Sequence, residues 1–290
     1  MKRIQGIYPA LLTPFTADGE VNRTALRQLV EMNIRKGVSG FYVCGSTAEA
    51  FLLSAGQRKQ ILETVAEANA GRVQLLAHIG HIDTATAIDL ARHAAGLGVE
   101  AISSVPPFYY QFTFEEIRQY YFDLADAVDK PVIVYNFPAF SGVKLTEAEL
   151  GQFFGDPRFV ALKHTSSDFF MLERLAHRFP EKSFLNGYDE MFLSGLAAGA
   201  DGAVGSTFNF MAEKFIRIRA LFGEGRLEEA GEEQRRANNI LATLRQVGLM
   251  AGEKALMCRL GLDFGMARRP FRPLNEEEEA LLWRVYCENV

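Results

Sequence analysis

Short runs rich in β-branched and aromatic residues alternate with stretches of helical spacing along most of the chain. The runs are residues 7–12, 40–43, 74–79, 101–105, 131–135, 159–164, 183–186 and 202–205, and each reads as a strand. Between them the apolar residues recur every three or four positions. Leu26, Leu29, Val30 and Ile34 share one helical face, as do Ile117, Tyr121, Leu124, Ala125 and Val128, which predicts amphipathic helices lying on a sheet. Thr113 with Glu116 and Thr146 with Glu149 have capping-box spacing at helix starts, and Gly37, Gly71 and Gly96 mark helix ends. Strands that are nearly continuous apolar runs, each followed by a helix, predict a parallel sheet covered by helices, and eight such units close into a (β/α)8 TIM barrel. A doubly wound open sheet would carry a glycine-rich phosphate turn after its first strand, and Leu11-Leu12-Thr13-Pro14-Phe15 has none.

The strand pattern stops near residue 210. Residues 1–210 are therefore expected to form the barrel core, and 211–290 the last barrel helix and a C-terminal helical extension of the same unit. Helices are expected over 224–244, after Ala251 and over 275–290. In that tail Glu232 and Arg236 have the spacing of a solvated ion pair, and the acidic run 276–279 suits a first helical turn.

Composition narrows the class. The 290 residues are 48% hydrophobic and 23% charged, as in a packed globular protein, and 31 Lys plus Arg against 36 Asp plus Glu leave a net charge of -5. With no surplus of cation, nucleic acid is not an expected partner. The three cysteines, Cys44, Cys258 and Cys287, lie far apart and fit neither a disulfide framework nor a zinc site. A reducing cytoplasm is the expected setting. The chain begins basic but reaches Pro9 and Pro14 without an apolar signal region, and no run of about 18 apolar residues occurs, so neither export nor a membrane partner is expected.

In a barrel of this kind the site forms at the C-terminal ends of the strands. Cys44-Gly45-Ser46-Thr47-Ala48-Glu49 follows the second strand, a small-residue turn whose hydroxyls and N–H groups suit a carboxylate, or equally an ordinary helix cap. Lys163 ends the apolar run Val160-Ala161-Leu162. Burial there would favour the neutral amine, a nucleophile for a ketone, whereas a lysine reaching into solvent would have no such role. Tyr135 on the neighbouring strand could carry protons or be a core aromatic. His78 and His81 supply two metal ligands at most and read better as structural, while His164 should point away from the barrel interior.

Taken together, Gly45-Ser46-Thr47-Ala48-Glu49, Pro107-Phe108-Tyr109-Tyr110, Tyr135-Asn136-Phe137-Pro138, Ala161-Leu162-Lys163 and Gly202-Ala203-Val204-Gly205-Ser206 resemble the class I pyruvate-dependent aldolases, the family of N-acetylneuraminate lyase and dihydrodipicolinate synthase. The resemblance runs nearly the whole chain. It is nearest to the lyase branch through residues 10–15, 140–145 and 186–190, and Phe140 stands where the synthase branch carries an arginine for a second carboxylate. It implies that Lys163 forms a Schiff base without a metal or organic cofactor and that Tyr135 moves protons. Ser46 and Thr47 would bind the pyruvyl carboxylate, while Thr165, Gly187, Asp189, Glu190 and Ser206 would hold the polyhydroxylated arm of an open-chain sialic acid. The products would be pyruvate and N-acetylmannosamine. Tyr109 resembles a tyrosine that reaches a neighbouring subunit's site, which implies a homo-oligomer, expected as a tetramer. Two departures, Ala48 for the lyase glycine and Gln111 for a frequent proline, would touch the turn and the subunit contact. A sister aldolase, a metal-dependent aldolase and a non-catalytic sensor are the alternatives; the last would be expected to lack the lysine or the tyrosine.

Overall fold

Each predicted strand has its counterpart in a computed structural model, which describes residues 3–290. Among these residues the strands are β1 Gly6–Pro9, β2 Gly40–Val43, β3 Gln74–His78, β4 Ala101–Ser104, β5 Val132–Asn136, β6 Phe159–His164, β7 Ser183–Asn186 and β8 Gly202–Gly205. The intervening helices are α1 Arg23–Arg35, α2 Ala55–Asn69, α3 Thr84–Ala95, α4 Phe114–Ala127, the short α5 Pro138–Ser141, α6 Glu147–Phe154, α7 Phe169–Arg178, α8 Phe192–Ala197 and α9 Phe208–Gly223. After them come α10 Leu227–Val247, α11 Leu249–Arg259 and α12 Glu276–Asn289.

All ladders are parallel, in the order β1-β8-β7-β6-β5-β4-β3-β2. The ring closes between β1 and β2 through a single parallel bridge, Ala10 to Tyr42, where the Leu11 N–H donates to the Tyr42 carbonyl at 3.0 Å. The first strand is shorter than its apolar run suggests. Pro9 has no N–H to donate, and beyond it there remain the Ala10 N–H bond to the Gly205 carbonyl at 2.9 Å and this bridge. Alternate strand residues face two separate cores: Ile7, Phe41, Val43, Val134 and Leu162 pack under the helices, while Tyr8, Tyr42, Leu76, Ile133 and Leu185 fill the barrel interior.

The two predicted capping boxes form at Thr113 and Thr146. Gly37 and Gly71 take positive φ past their helices, but Gly96 stays right-handed and Gly98 makes the turn instead. One predicted pair is corrected. Glu232 bonds Arg235, one position nearer, because Arg236 is turned toward the end of α12 and donates to the Val290 carbonyl at 3.3 Å. The acidic run does occupy the first turn of α12, capped by Asn275. Among the described residues no helix is long and apolar enough to cross a membrane.

Candidate active site

Strand register brings Lys163 beside Tyr135 across the β5–β6 ladder. Both point into the barrel, where the Lys163 Nζ lies 4.0 Å from the Tyr42 ring centroid and 3.9 Å from that of Tyr135. Tyr42 is fixed beneath it by donating to Ser103 Oγ at 2.9 Å, and Ser103 in turn donates to the Ile133 carbonyl at 3.2 Å. Lys163 is only 4% exposed. Burial brings its pKa down to about 7, opposed by the carboxylate of Asp189, so near neutral pH a large share is the nucleophilic free base. An amine of the usual lysine pKa would be overwhelmingly protonated there. Condensation with a ketone should therefore accelerate about tenfold per pH unit up to about pH 7 and then level off. Rates of borohydride trapping between pH 5 and 9 check this; a tenfold rise per unit continuing from pH 7 to 9 would mean an ordinary lysine.

Burial likewise lifts the Tyr135 phenol well above its usual value, and the hydroxyls of Thr165 and Ser46 draw it back. The phenol thus arrives protonated, with two hydroxyls facing it. Ser46 belongs to a 3-10 turn, Ser46–Ala48, set between two non-glycine residues at positive φ, Cys44 at 61° and Glu49 at 59°. Such backbone persists only when its surroundings hold it. The Thr13 hydroxyl donates to the Ala48 carbonyl at 3.0 Å, and Glu49, in the buried end of the turn, pairs with Lys254 of α11 at 2.6 Å. The second Glu49 oxygen accepts from the Arg268 N–H at 2.6 Å. The C-terminal extension is thereby fastened to the turn.

Ser46, Thr47, Tyr135, Lys163, Thr165, Gly187, Asp189, Glu190 and Ser206 all line one cavity of about 320 Å³. On its far wall, burial raises the Asp189 carboxyl to about 6, against hydrogen bonds from the Thr207 N–H at 2.9 Å and hydroxyl at 2.6 Å. Glycine is dictated at two positions here. A Cβ on Gly205 would come 2.2 Å from Asp189 Oδ1, and one on Gly187 would come 1.8 Å from Thr165 Oγ1. Gly187→Ala should displace Thr165 and cost about 1–3 kcal/mol of stability. Urea unfolding checks this, and an unchanged midpoint would contradict it.

Sequence reasoning missed the residues that hold this wall from behind. The Gln234 side chain of α10 donates to the Asp189 carbonyl at 3.0 Å and accepts from the Leu193 N–H at 3.1 Å, and Asn238 donates to the Glu190 carbonyl at 3.1 Å. Arg245, also on α10, pairs with the Glu190 carboxylate and lines the cavity. In the sequence these are ordinary polar residues of a surface-type helix. Tyr42 was equally unmarked, being one aromatic in a strand.

Tyr109 does not line this cavity. It stands 83% exposed at φ 78° in the loop after β4, with Tyr110 against its ring. His78 is structural: Nδ1–H donates to the Cys44 carbonyl at 2.9 Å while Nε2 faces the Val105 N–H at 3.4 Å. Burial keeps it neutral. His81 pairs with Asp83, and His164 points outward, held by Asn136 and the Asp168 carbonyl. Among the described residues no three His, Cys, Asp or Glu side chains converge as metal ligands.

Residues 3–285 match the model of the dihydrodipicolinate synthetase family. The chain belongs to this family. It is 46% identical over 280 residues to an N-acetylneuraminate lyase of Rhizobium meliloti (strain 1021), covering 97% of this chain and 93% of that protein. Among solved structures, CdNal of Clostridium difficile, in complex with mannosamine, superposes with a TM-score of 0.97 at 35% identity over the full length of both chains. The N-acetylneuraminate lyase of Fusobacterium nucleatum complexed with pyruvate gives 0.94 at 31%, covering 99% and 97%. As a member of the dihydrodipicolinate synthetase family, this protein is an enzyme of the class I aldolase type.

Proposed function

We propose that this enzyme reversibly cleaves N-acetylneuraminate to pyruvate and N-acetylmannosamine. The observation that carries the reading is the cavity itself, with a buried amine at one end and a wall of hydroxyls and carboxylates at the other. That wall suits a polyhydroxylated arm. A second substrate carboxylate would meet Asp189 and Glu190 there, the cation of Arg245 is already paired, and Phe140 offers an apolar face. The names of the relatives support the same choice.

In this reading Lys163 adds to the C2 ketone of the open-chain sugar acid, and Tyr135 protonates the hydroxyl that leaves as water, giving an iminium. Ser46 and Thr47 hold the adjoining carboxylate. The Tyr135 phenolate, next to the new cation, takes the C4 hydroxyl proton as the C3–C4 bond breaks and its electron pair moves to the nitrogen. N-acetylmannosamine leaves as the aldehyde. The enamine is protonated at C3, and water releases pyruvate and regenerates the amine. Thr165, Gly187, Asp189, Glu190 and Ser206 keep the arm in place throughout. The scheme draws on no metal or organic cofactor.

Tyr109 and its aromatic neighbours are read as a contact with the site of a neighbouring copy in a homotetramer, for which sedimentation is the check. The cytoplasmic setting fits three free cysteines, with Cys44 buried and held as a thiol. The test of function is a pair of assays in EDTA: pyruvate release from N-acetylneuraminate, and condensation of pyruvate with aspartate semialdehyde. The first alone supports the lyase; the second alone would give the synthase, and loss of both in EDTA a metal-dependent aldolase.

A further inference from the structure

A second cation lines the cavity besides Lys163, at its opposite end. Lys163 is buried at the floor, whereas the Arg245 side chain is 62% exposed and so stands at the mouth. The wall between them grows more open, from the buried Asp189 to the partly exposed Glu190. A substrate joined to Lys163 must run outward along this wall, and its far end meets Arg245. Leu241, Arg245 and Leu249, spaced four apart, all line the cavity, so the end of α10 and the start of α11 turn one face toward it.

This cation is committed to a carboxylate of the protein's own. Arg245 Nη2 donates to Glu190 Oε1, and the backbone holds the two in register: Gln234 and Asn238 of the same helix donate to the carbonyls of Asp189 and Glu190 at 3.0 and 3.1 Å. A guanidinium is a planar fork that matches a carboxylate, and here Glu190 closes it. The contact is a single bond to one oxygen, so the other stays an acceptor for a hydroxyl. A substrate carboxylate in the same place would meet the charges of Asp189 and Glu190 with the matching cation already engaged. Phe140, exposed on the same cavity, offers no replacement.

We propose that Arg245 is a masked carboxylate site, and that Glu190, by closing it, makes the far end of the cavity select a neutral hydroxylated arm over one that ends in a carboxylate. Glu190 acts twice: it repels the second carboxylate and it occupies the cation that would bind it. Removing Glu190 should then do more than weaken the hold on hydroxyls. The freed guanidinium, still carried at the mouth by α10, would turn the same cavity toward acidic arms. Removing Arg245 as well should cancel that gain. The identity of the arm rests on the proposed sialic acid reading, but the masking rests on the ion pair alone.

The test uses two acceptors that differ only at the far end, N-acetylmannosamine and N-acetylmannosaminuronate, in which the terminal hydroxymethyl group is a carboxylate. Their condensation with pyruvate is followed in the wild type, Glu190→Ala, Arg245→Gln and the double variant. The wild type should favour the neutral acceptor by at least about tenfold in kcat/KM. Glu190→Ala should shift the ratio toward the uronate by at least about tenfold, Arg245→Gln should not, and the double variant should lose most of the shift. A shift that persists without Arg245, or none in a folded Glu190→Ala protein, overturns the proposal. A merely structural role would change stability, or both acceptors alike, and leave the ratio. If the wild type condenses neither acceptor, the sialic acid reading falls separately. Borohydride trapping on Lys163 of 2-oxononanedioate against 2-oxononanoate then tests the masking by itself, since it needs neither cleavage nor condensation. The diacid should gain in Glu190→Ala and lose that gain in the double variant; a ratio unmoved in Glu190→Ala contradicts the inference.

Discussion

Lys163→Met is expected to lower kcat/KM by at least about 10^4-fold, the scale of losing a covalent nucleophile, and to leave no adduct with pyruvate. The magnitude follows from the position of the amine. It lies between two aromatic rings with no carboxylate in contact, so it does little for the fold and its burial is a cost. Methionine fills the same slot without that cost, so the variant should unfold at the same temperature or higher. This separates chemistry from structure. Activity within about 100-fold of wild type would mean that another group provides the nucleophile.

Tyr135→Phe should reduce kcat by about 10^2- to 10^4-fold, the range for removing a general acid-base group. The ring itself is structural: it stacks on Phe137 at 5.7 Å and meets Tyr42 edge-on at 5.9 Å. Phenylalanine keeps both contacts and removes only the oxygen that Ser46 and Thr165 face. Pyruvate should still be trapped on Lys163, more slowly, while carbon-carbon cleavage nearly stops. Steady-state kinetics beside trapping rates check this, and an equal loss in both would assign Tyr135 only to imine formation.

The alternation of short apolar runs and amphipathic helices carries the barrel, because a parallel strand buried on both faces cannot be written any other way. Strand ends were less legible. Pro9 cuts the first ladder short, and the spacing of Glu232 and Arg236 cannot reveal that α12 draws one of them away. For the site, Lys163 and Tyr135 stand out as reactive groups at adjacent strand ends, and the turn at Ser46 is marked by its small residues. Gln234, Asn238 and Arg245 are invisible in this sense. They lie far along the chain on a helix whose spacing predicts a polar surface, and only the tertiary fold brings them against Asp189 and Glu190. Tyr42 is similar: nothing in a strand says which aromatic will lie under an amine.

The most direct measurement is to incubate the intact protein with pyruvate, reduce with borohydride and locate the adduct by peptide mass spectrometry. The account predicts one reduced pyruvyl group on Lys163, with activity lost in proportion. An adduct on any other residue, or none under conditions where the protein is active, would contradict it.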